Sequence, residues 1–308
     1  MDISLQGIDI GIFSLRFYSL MILLGLFAGI VVGQIQAKLY EQDPTHVVNI
    51  AMLGTVLGII GARLYHVFDQ QEWPRYRENL GDIFAIWNGG IGIFGAFVGA
   101  VFALWLYTRL ETKPKKFSTM PFSLPMIVRR RPAMSAILWL DIGAPTFMIG
   151  QAIGRWGNFF NQELFGRPTD LPWGIFIPQA KVAYQASEFI GFERFHPLFF
   201  YESALNFLGV VFILYITRKI PHKVNTGDIL SFYLIWYPIV RFSLEFLRIG
   251  PWEEAGIPMA QIVSVLMFAL GLGSFLYRRL KPPQILTAAS EETPTKSRSS
   301  ARRLRRRT

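Results

Sequence analysis

The sequence contains no cysteine and few charged residues for its length. Of its 308 residues none is Cys and 17% are charged, against about 25% in a typical soluble protein. The missing thiol excludes a disulfide bond, a thiolate metal site, a cysteine nucleophile and a lipid anchor attached through cysteine. Because 52% of the residues are hydrophobic, the composition indicates a protein embedded in lipid.

Seven mostly apolar stretches are each long enough to cross the hydrocarbon core of a bilayer as a helix. They lie at approximately 17–36, 47–68, 84–107, 134–153, 198–217, 229–247 and 258–277. We expect the first to be a true span and not a cleavable signal peptide, because Asp2 and Asp9 precede it in place of a basic segment. The sequence therefore predicts an all-α integral membrane protein with seven transmembrane helices.

The distribution of basic residues predicts the orientation of these spans. The chain has 31 Lys and Arg against 21 Asp and Glu, a net charge of +10. Seven spans place the termini on opposite sides, and 21 of the basic residues then fall on the side of the C-terminus, with eight on the other side. Since cytoplasmic loops are enriched in Lys and Arg, we expect a cytoplasmic C-terminus and an external N-terminus. This topology explains the basic excess without a nucleic-acid partner.

The chain divides into one membrane domain and a tail. Residues 1–280 form the expected seven-span domain, with a segment at about 154–197 on the outer side. Residues 281–308 are rich in Pro, Ser, Thr and Arg, so we expect a disordered basic cytoplasmic tail. Its basic end would either bind anionic lipid or serve only as a topology signal.

Glycines four residues apart recur within the spans and predict close packing of the helices. They are Gly25, Gly29 and Gly33; Gly54 and Gly58; Gly95 and Gly99; and Gly150 and Gly154.

Polar residues in the spans converge on the outer side. Charged residues inside a membrane are costly and usually face a protein interior or a wet cavity. In the predicted topology they lie in the outer parts of several spans, whereas Asp141 lies near the cytoplasmic end of the fourth. The outer group comprises Tyr18, Arg63, Tyr65, His66, Glu202, Tyr237, Arg241, Glu245 and Arg248, the glycine-rich stretch at 87–95, and the segment 154–166.

These residues predict a basic pocket at the depth of lipid headgroups. Arg63, Arg155, Arg241 and Arg248 surround the carboxylates of Glu163, Glu202 and Glu245. Guanidinium groups bind phosphate oxygens well, and glycines such as Gly89 and Gly90 allow backbone amides to approach a phosphate or ester. We therefore expect a phospholipid headgroup as ligand. The alternative is that the arginines only pair with the glutamates and tie helices together.

The segment GRWGNFFNQELFG at 154–166 resembles the signature of the prolipoprotein diacylglyceryl transferase family. The fixed positions of that signature are filled by Gly154, Arg155, Gly157, Asn158, Phe159, Asn161, Glu163 and Gly166. The segments RFYSLM, GARLYHV, HPLFFYE and YPIVRFSLEFLR also resemble family segments, so that the resemblance covers about residues 10–280.

The resemblance implies a transferase of the bacterial inner membrane, with seven spans and an active centre toward the outer side. Such an enzyme moves the diacylglyceryl group of phosphatidylglycerol to the thiol of the lipobox cysteine of a preprolipoprotein, which is the first step of lipoprotein maturation. Its partners would be phosphatidylglycerol, the lipobox signal peptide and membrane lipid, with no cofactor and no metal. A transporter and an inactive phospholipid-binding scaffold are the alternative functions.

The resemblance also implies roles for individual residues. Arg155 and Arg241 would stabilise the charge of the leaving phosphate, Asn158 and Glu163 would orient the headgroup and Arg155, and Glu245 would anchor Arg241. The catalytic candidates are Arg155, Arg241, Glu163, His66 and His196. The substrate-binding candidates are Tyr18, Arg63, Tyr65, Gly89, Gly90, Phe94, Asn158, Asn161, Gly166, Glu202, Tyr237, Glu245 and Arg248.

One position departs from the family pattern. Many relatives carry a histidine, considered as a base, where this sequence has Phe94. A phenyl ring accepts no proton, so either the base is another residue or the thiol is activated mainly by the positive field of the arginines. His66 and His196 lie on the outer side and are the alternative bases.

Overall fold

A computed structural model describes most of the chain. The described residues are 2–10, 13–69, 72–86, 89–116, 123–130, 133–250, 253–254 and 257–282. Of the expected basic tail, residues 283–308 lie outside this part.

A long helix overlaps each of the seven expected spans. They are α1 (Phe17–Leu39), α2 (Thr45–Val67), α4 (Ile93–Arg109), α5 (Ala136–Asn161), α7 (Leu198–Lys219), α8 (Asp228–Glu245) and α9 (Met259–Arg279). Two short helices, α3 (Trp73–Glu78) and α6 (Gln179–Gln185), lie in the connections. The protein is thus predominantly helical, as an integral membrane protein of this class requires.

Within the described residues, five of the long helices, α1, α2, α5, α7 and α9, are long and apolar enough to cross a membrane. Helix α4 has 17 residues and α8 has 18. Helix α4 begins at Ile93, later than the sequence predicted, because Gly89 and Gly90 adopt positive φ angles of 84° and 77° that break the helix.

The connections contain short antiparallel strands that the all-α prediction missed. Strands β1 (Asp2–Ser4), β2 (Gly7–Ile10) and β3 (Phe13–Arg16) form one sheet, and β4 (Leu110–Lys116) pairs with β5 (Ser123–Arg129). Two-residue pairs join β6 (Ile175–Phe176) to β7 (Arg194–Phe195) and β8 (Glu253–Glu254) to β9 (Ile257–Pro258). These segments lack the long apolar runs from which spans are predicted, and no other feature of the sequence indicated that they pair as strands.

Helix α5 lies at the centre of the bundle. It packs against α1, α7 and α8, while α2 packs against α4 and α9 against α8. Met148 of α5 and Ile213 of α7 are completely buried in the main apolar core. Large side chains such as Phe27, Phe97 and Leu270 are exposed on the outside of the bundle, where a membrane protein meets lipid tails.

Glycines bring two pairs of helices into backbone contact. A Cβ on Gly25 of α1 would lie 3.1 Å from the carbonyl oxygen of Gly150 in α5. A Cβ on Gly99 of α4 would lie 3.0 Å from the Cα of Gly58 in α2. The predicted packing role is confirmed at these positions but not at Gly54 or Gly154, where a Cβ would have nothing within 4 Å.

We expect Gly99→Ala to destabilise the protein. The added methyl group would meet the backbone of α2, so the two helices must move apart, at a cost of about 1–3 kcal/mol. The measurement is the thermal unfolding midpoint of the protein in detergent. Gly54→Ala is the matched control in α2, since its methyl group would enter open space. Equal midpoints for the two variants would contradict the close contact.

Candidate active site

An ion pair joins two helices at one end of the bundle. Arg155, near the end of α5, contacts Glu202, near the start of α7, with Nη2 and Oε1 2.7 Å apart. Glu202 is 4% exposed. A carboxylate this buried requires its partner, because removing one member of such a pair costs about 3–5 kcal/mol. The two predicted site residues are therefore held together, although 47 residues separate them.

Arg155 also contacts its own helix and α8. Its Nη1 donates a hydrogen bond of 3.3 Å to Oδ1 of Asn158, and the hydroxyl of Tyr237 in α8 contacts the guanidinium group. Asn158 in turn donates from Nδ2 to Oε1 of Glu163 at 2.9 Å. Asn161 donates to the same carboxylate oxygen at 3.2 Å. Four polar residues of the signature thus form one hydrogen-bonded chain.

A second group of charges lies at the end of α8. Glu245 is 4% exposed, and its Oε2 lies 2.9 Å from Arg241 and 3.7 Å from Arg248. Burial, followed by the positive charge of Arg241, lowers the pKa of Arg248 below its ordinary value. The cationic form of Arg248 is therefore disfavoured by its surroundings, and an additional anion would relieve this cost.

The two groups of charges border the same pocket, here called the arginine pocket. It is lined by Arg155, Asn158, Leu164, Leu198, Phe199, Glu202, Arg241, Leu244 and Arg248. Three guanidinium groups there face the carboxylates of Glu202 and Glu245, so one positive charge is left over. The apolar walls reduce the screening of this charge by water.

A smaller pocket adjoins the arginine pocket and shares Asn158 and Phe199 with it; we call it the Glu163 pocket. It is lined by Asn158, Phe159, Gln162, Glu163, Phe165, Ile175, Phe176, Ile177 and Phe199. Glu163 is the titratable group among these lining residues, and the other walls are mainly apolar. A carboxylate is thus placed next to the arginine pocket, in a separate and less polar pocket.

The turn after α5 brings the two pockets together. Gln162 and Leu164 adopt left-handed φ angles of 52° and 55°, which are uncommon for residues with a Cβ. The chain then pairs with the segment after α8, where Arg167 N donates to Leu247 O at 2.8 Å. A Cβ on Gly166 would lie 2.8 Å from the Cβ of His196, so the close approach requires glycine here.

His196 and Tyr18 lie around this turn and helix end. The backbone oxygen of His196 accepts from Gly166 N at 2.9 Å, and its ring nitrogen Nδ1 lies 3.1 Å from the hydroxyl of Tyr201. The ring of Tyr18 packs against Gly157, where a Cβ would lie 2.7 Å from the ring. Neither residue is among the lining of the two pockets.

Arg63 belongs to a separate cluster between α2 and the stretch that precedes α4. Its guanidinium group donates to five backbone carbonyl groups, those of Asp82, Ile83, Ala85, Gly89 and Gly90. These bonds occupy the N–H donors of the guanidinium group, which therefore are not available to bind a phosphate. The structure therefore places Arg63 as a support for this loop and does not bring it to the arginine pocket.

His66, Tyr65 and Phe94 lie in the same cluster as Arg63. Nδ1 of His66 lies 3.2 Å from the hydroxyl of Tyr76, and a Cβ on Gly90 would lie 2.9 Å from the His66 ring. The rings of Tyr65 and Phe94 lie 6.0 Å apart. The predicted site residues thus form two clusters, one around Arg155 and one around Arg63.

The sequence did not single out the apolar walls of the pockets. Leu198 and Phe199 lie in the HPLFFYE segment, and Leu164 lies in the signature, so the motifs could have indicated them. Ile175 and Ile177 come from the segment between α5 and α7, where no motif marked them. Gln151 donates to the hydroxyl of Tyr233 at 3.3 Å and was also missed, because its partner is in another helix.

Comparison with known proteins agrees with the signature. The sequence profile of the family described as prolipoprotein diacylglyceryl transferase matches residues 6–277. A phosphatidylglycerol–prolipoprotein diacylglyceryl transferase of Lysinibacillus sphaericus (strain C3-41) is 36% identical over 275 residues, covering 88% of this chain and 91% of the relative.

Two further relatives carry the same name. The protein of Thermosynechococcus vestitus (strain NIES-2133 / IAM M-273 / BP-1) is 35% identical over 277 residues, covering 89% of this chain and 93% of the relative. That of Chloroflexus aggregans (strain MD-66 / DSM 9485) is 36% identical over 283 residues, covering 86% of this chain and 85% of the relative. The resemblance seen in the signature is thereby confirmed, and the chain belongs to the prolipoprotein diacylglyceryl transferase family.

Proposed function

We propose that this protein transfers the diacylglyceryl group of phosphatidylglycerol to the cysteine thiol of prolipoproteins, the first step of bacterial lipoprotein maturation. The names of its relatives support this reaction. The observation that carries it is the arginine pocket, in which Arg155, Arg241 and Arg248 face one cavity at the end of the helix bundle. Such a pocket fits an anionic phosphodiester whose acyl chains remain in lipid.

For the membrane topology we propose seven spans in the bacterial inner membrane, an external N-terminus and a cytoplasmic C-terminus. Helices α4 and α8 would be about 26 Å and 27 Å long at 1.5 Å per residue, close to the thickness of the hydrocarbon core. The distribution of Lys and Arg supports the orientation. Residues 1–280 would be the catalytic domain, with the segment 154–197 outside and 281–308 as a cytoplasmic tail.

In the proposed reaction the thiol of the incoming cysteine attacks the glycerol carbon that bears the phosphodiester. The sulfur forms the new C–S bond while the C–O bond to phosphate breaks, and the electron pair of that bond stays on the phosphate oxygen. Glycerol phosphate leaves. Arg155 and Arg241 would stabilise the charge that develops on the leaving oxygen, which is the usual largest contribution to catalysis of this kind.

Glu163 is our proposed acceptor of the thiol proton. A thiol with a pKa near 8.5 is mostly protonated at neutral pH, so a base raises the fraction that reacts. Glu163 lines the pocket that adjoins the arginine pocket, whereas His66 lies in the cluster around Arg63 and His196 lies beyond the pocket lining. The carboxyl group would later release its proton to solvent or to the departing phosphate.

The remaining site residues would shape and orient the substrate. Asn158 and Asn161 hold the carboxylate of Glu163, and Tyr237, with Glu202, holds Arg155. Glu245 fixes Arg241 and Arg248. The cluster of Arg63 with Tyr65, Gly89, Gly90 and Phe94 would form another part of the outer surface.

The reaction is tested with purified protein in detergent, phosphatidylglycerol and a lipobox peptide. We expect the peptide to gain the mass of one diacylglyceryl group, and glycerol phosphate to be released. Binding of phosphatidylglycerol without transfer, where a relative is active in parallel, would favour an inactive scaffold. Movement of a solute across proteoliposomes without any peptide product would favour a transporter.

A further inference from the structure

At the end of the bundle opposite the arginine pocket, a buried carboxylate of α5 caps α8. Helix α8 follows Gly227, which has a φ of 96° and no side chain with which to cap the helix. Instead, Asp141 accepts hydrogen bonds from Gly227 N and, at 2.8 Å, from Leu230 N. Asp141 is completely buried. Free amides and the positive end of the helix dipole both favour a carboxylate at this place.

Helix α9 also contacts the start of α8. Arg278 donates from Nη2 to the carbonyl oxygen of Gly227 at 2.6 Å and also to the hydroxyl of Ser231. Arg279 lies 2.8 Å from Asp228, the first residue of α8. The start of α8 is therefore held from both sides, by α5 and by α9.

Helices α5 and α8 run in the same direction, and polar contacts join them at three points along their length. Asp141 contacts the start of α8, Gln151 contacts Tyr233, and Arg155 contacts Tyr237. Fourteen residues separate Asp141 from Arg155, and fourteen separate Gly227 from Arg241. Each distance is about 21 Å at 1.5 Å per residue. The contact between Asp141 and the start of α8 thus places Arg155 and Arg241 at the same depth along the two helices.

We propose that Asp141 is a positioning residue, which sets the axial position of α8 against α5 and so holds Arg241 level with Arg155. This proposal rests on the proposed function, in which both arginines act on one phosphate. A displacement of about 1 Å in a catalytic group lowers a rate about a hundredfold. If Asp141 only stabilised α8, its loss would lower the amount of folded protein. The position of α8 in the molecules that still fold would not change.

The experiment compares Asp141→Ala and Asp141→Asn with Tyr107→Phe. Asparagine has nearly the shape of aspartate but one acceptor oxygen in place of two, so Asp141→Asn perturbs the fold least. Tyr107→Phe is the matched control, because it removes the 2.8 Å contact with His46 and the 3.0 Å hydrogen bond from Asn49, which join α2 and α4 at the same end of the bundle. It leaves the contacts of α8 intact.

The position of α8 is measured with two spin labels. Since the chain has no cysteine, Phe147→Cys in α5 and Ile239→Cys in α8 give the only two labelling sites, both at exposed positions. We expect Asp141→Ala to shift or broaden the distance distribution between the labels and to lower the turnover of the folded protein about a hundredfold. Asp141→Asn should lie between Asp141→Ala and the native protein, and Tyr107→Phe should match the native protein in both measurements.

An unchanged label distance in folded Asp141→Ala, or a turnover equal to that of Tyr107→Phe, would overturn the positioning role. Where Asp141→Ala does not fold, Asp141→Asn decides in the same way, and native behaviour in both measurements would overturn the proposal. The experiment distinguishes a failure of this proposal from a failure of the proposed function. A native protein without transferase activity would contradict the proposed function. The label distances would still test whether Asp141 positions α8.

Discussion

Arg155→Ala is expected to lower the rate of transfer by a hundredfold to about a thousandfold, as the loss of a group that stabilises transition-state charge does. The guanidinium group lines the arginine pocket and is held by Glu202, Asn158 and Tyr237. Arg155→Lys should lose most of the activity too, because an ammonium group keeps the charge but not the planar pair of donors. Activity is measured as formation of the lipidated peptide per folded enzyme.

Two controls separate catalysis from folding. Arg155→Ala leaves Glu202 buried without its partner, which by itself costs about 3–5 kcal/mol. The double variant Arg155→Met with Glu202→Gln removes both charges and should recover much of the stability but none of the activity. Arg75→Ala, at an exposed arginine of α3, should behave as the native protein. An active Arg155→Ala protein would refute the assignment of the phosphate to this pocket.

Glu163→Gln is expected to lower the rate by a hundredfold or more at neutral pH, within the range of about 10² to 10⁴ for the loss of a general base. Glutamine retains a carbonyl oxygen for the hydrogen bonds from Asn158 and Asn161, so the fold should be kept. The rate of the variant should rise about tenfold per pH unit up to the thiol pKa near 8.5, since only thiolate would then react. The native enzyme should depend less steeply on pH.

Histidine variants complete this test of the base. His66→Gln and His196→Gln should retain transfer activity, because neither ring is among the residues that line the two pockets. If Glu163→Gln instead has the native rate and pH profile, the thiol is activated by the positive field of the arginines. If one of the histidine variants alone acquires the steep pH profile, that histidine is the base.

Hydropathy and charge predicted the positions of the long helices, because an apolar run of that length has few other stable states in lipid. The order of spans, together with alternating direction, also predicted which polar residues lie at one end. It did not predict which of them touch. Arg63 and Arg155 were both predicted to lie toward the outer side, but Arg63 donates to loop carbonyls and Arg155 to Glu202. The rotation of each helix and the path of each loop decide this, and neither follows from hydropathy.

The contacts of Asp141 could not be predicted from the sequence either. The sequence predicted its depth, near the cytoplasmic end of a span, yet its partners are backbone amides at the start of α8, 86 and 89 residues further along the chain. Nearly every residue type carries a backbone amide, so no sequence motif identifies the ones that bind Asp141. The signature at 154–166, in contrast, contains most of its own partners, so that Arg155, Asn158, Asn161 and Glu163 could be predicted as one unit from the sequence.

The carboxylates of Glu202 and Glu245 limit how strongly the arginine pocket can hold any anion, because each already occupies a guanidinium group. This matters for turnover. Glycerol phosphate is a monoester and carries more negative charge than the phosphodiester from which it is formed, so a pocket of unpaired arginines would retain the product more tightly than the substrate. In the proposed reaction these two carboxylates would offset part of that difference, and so would help the enzyme to release its product and begin another cycle.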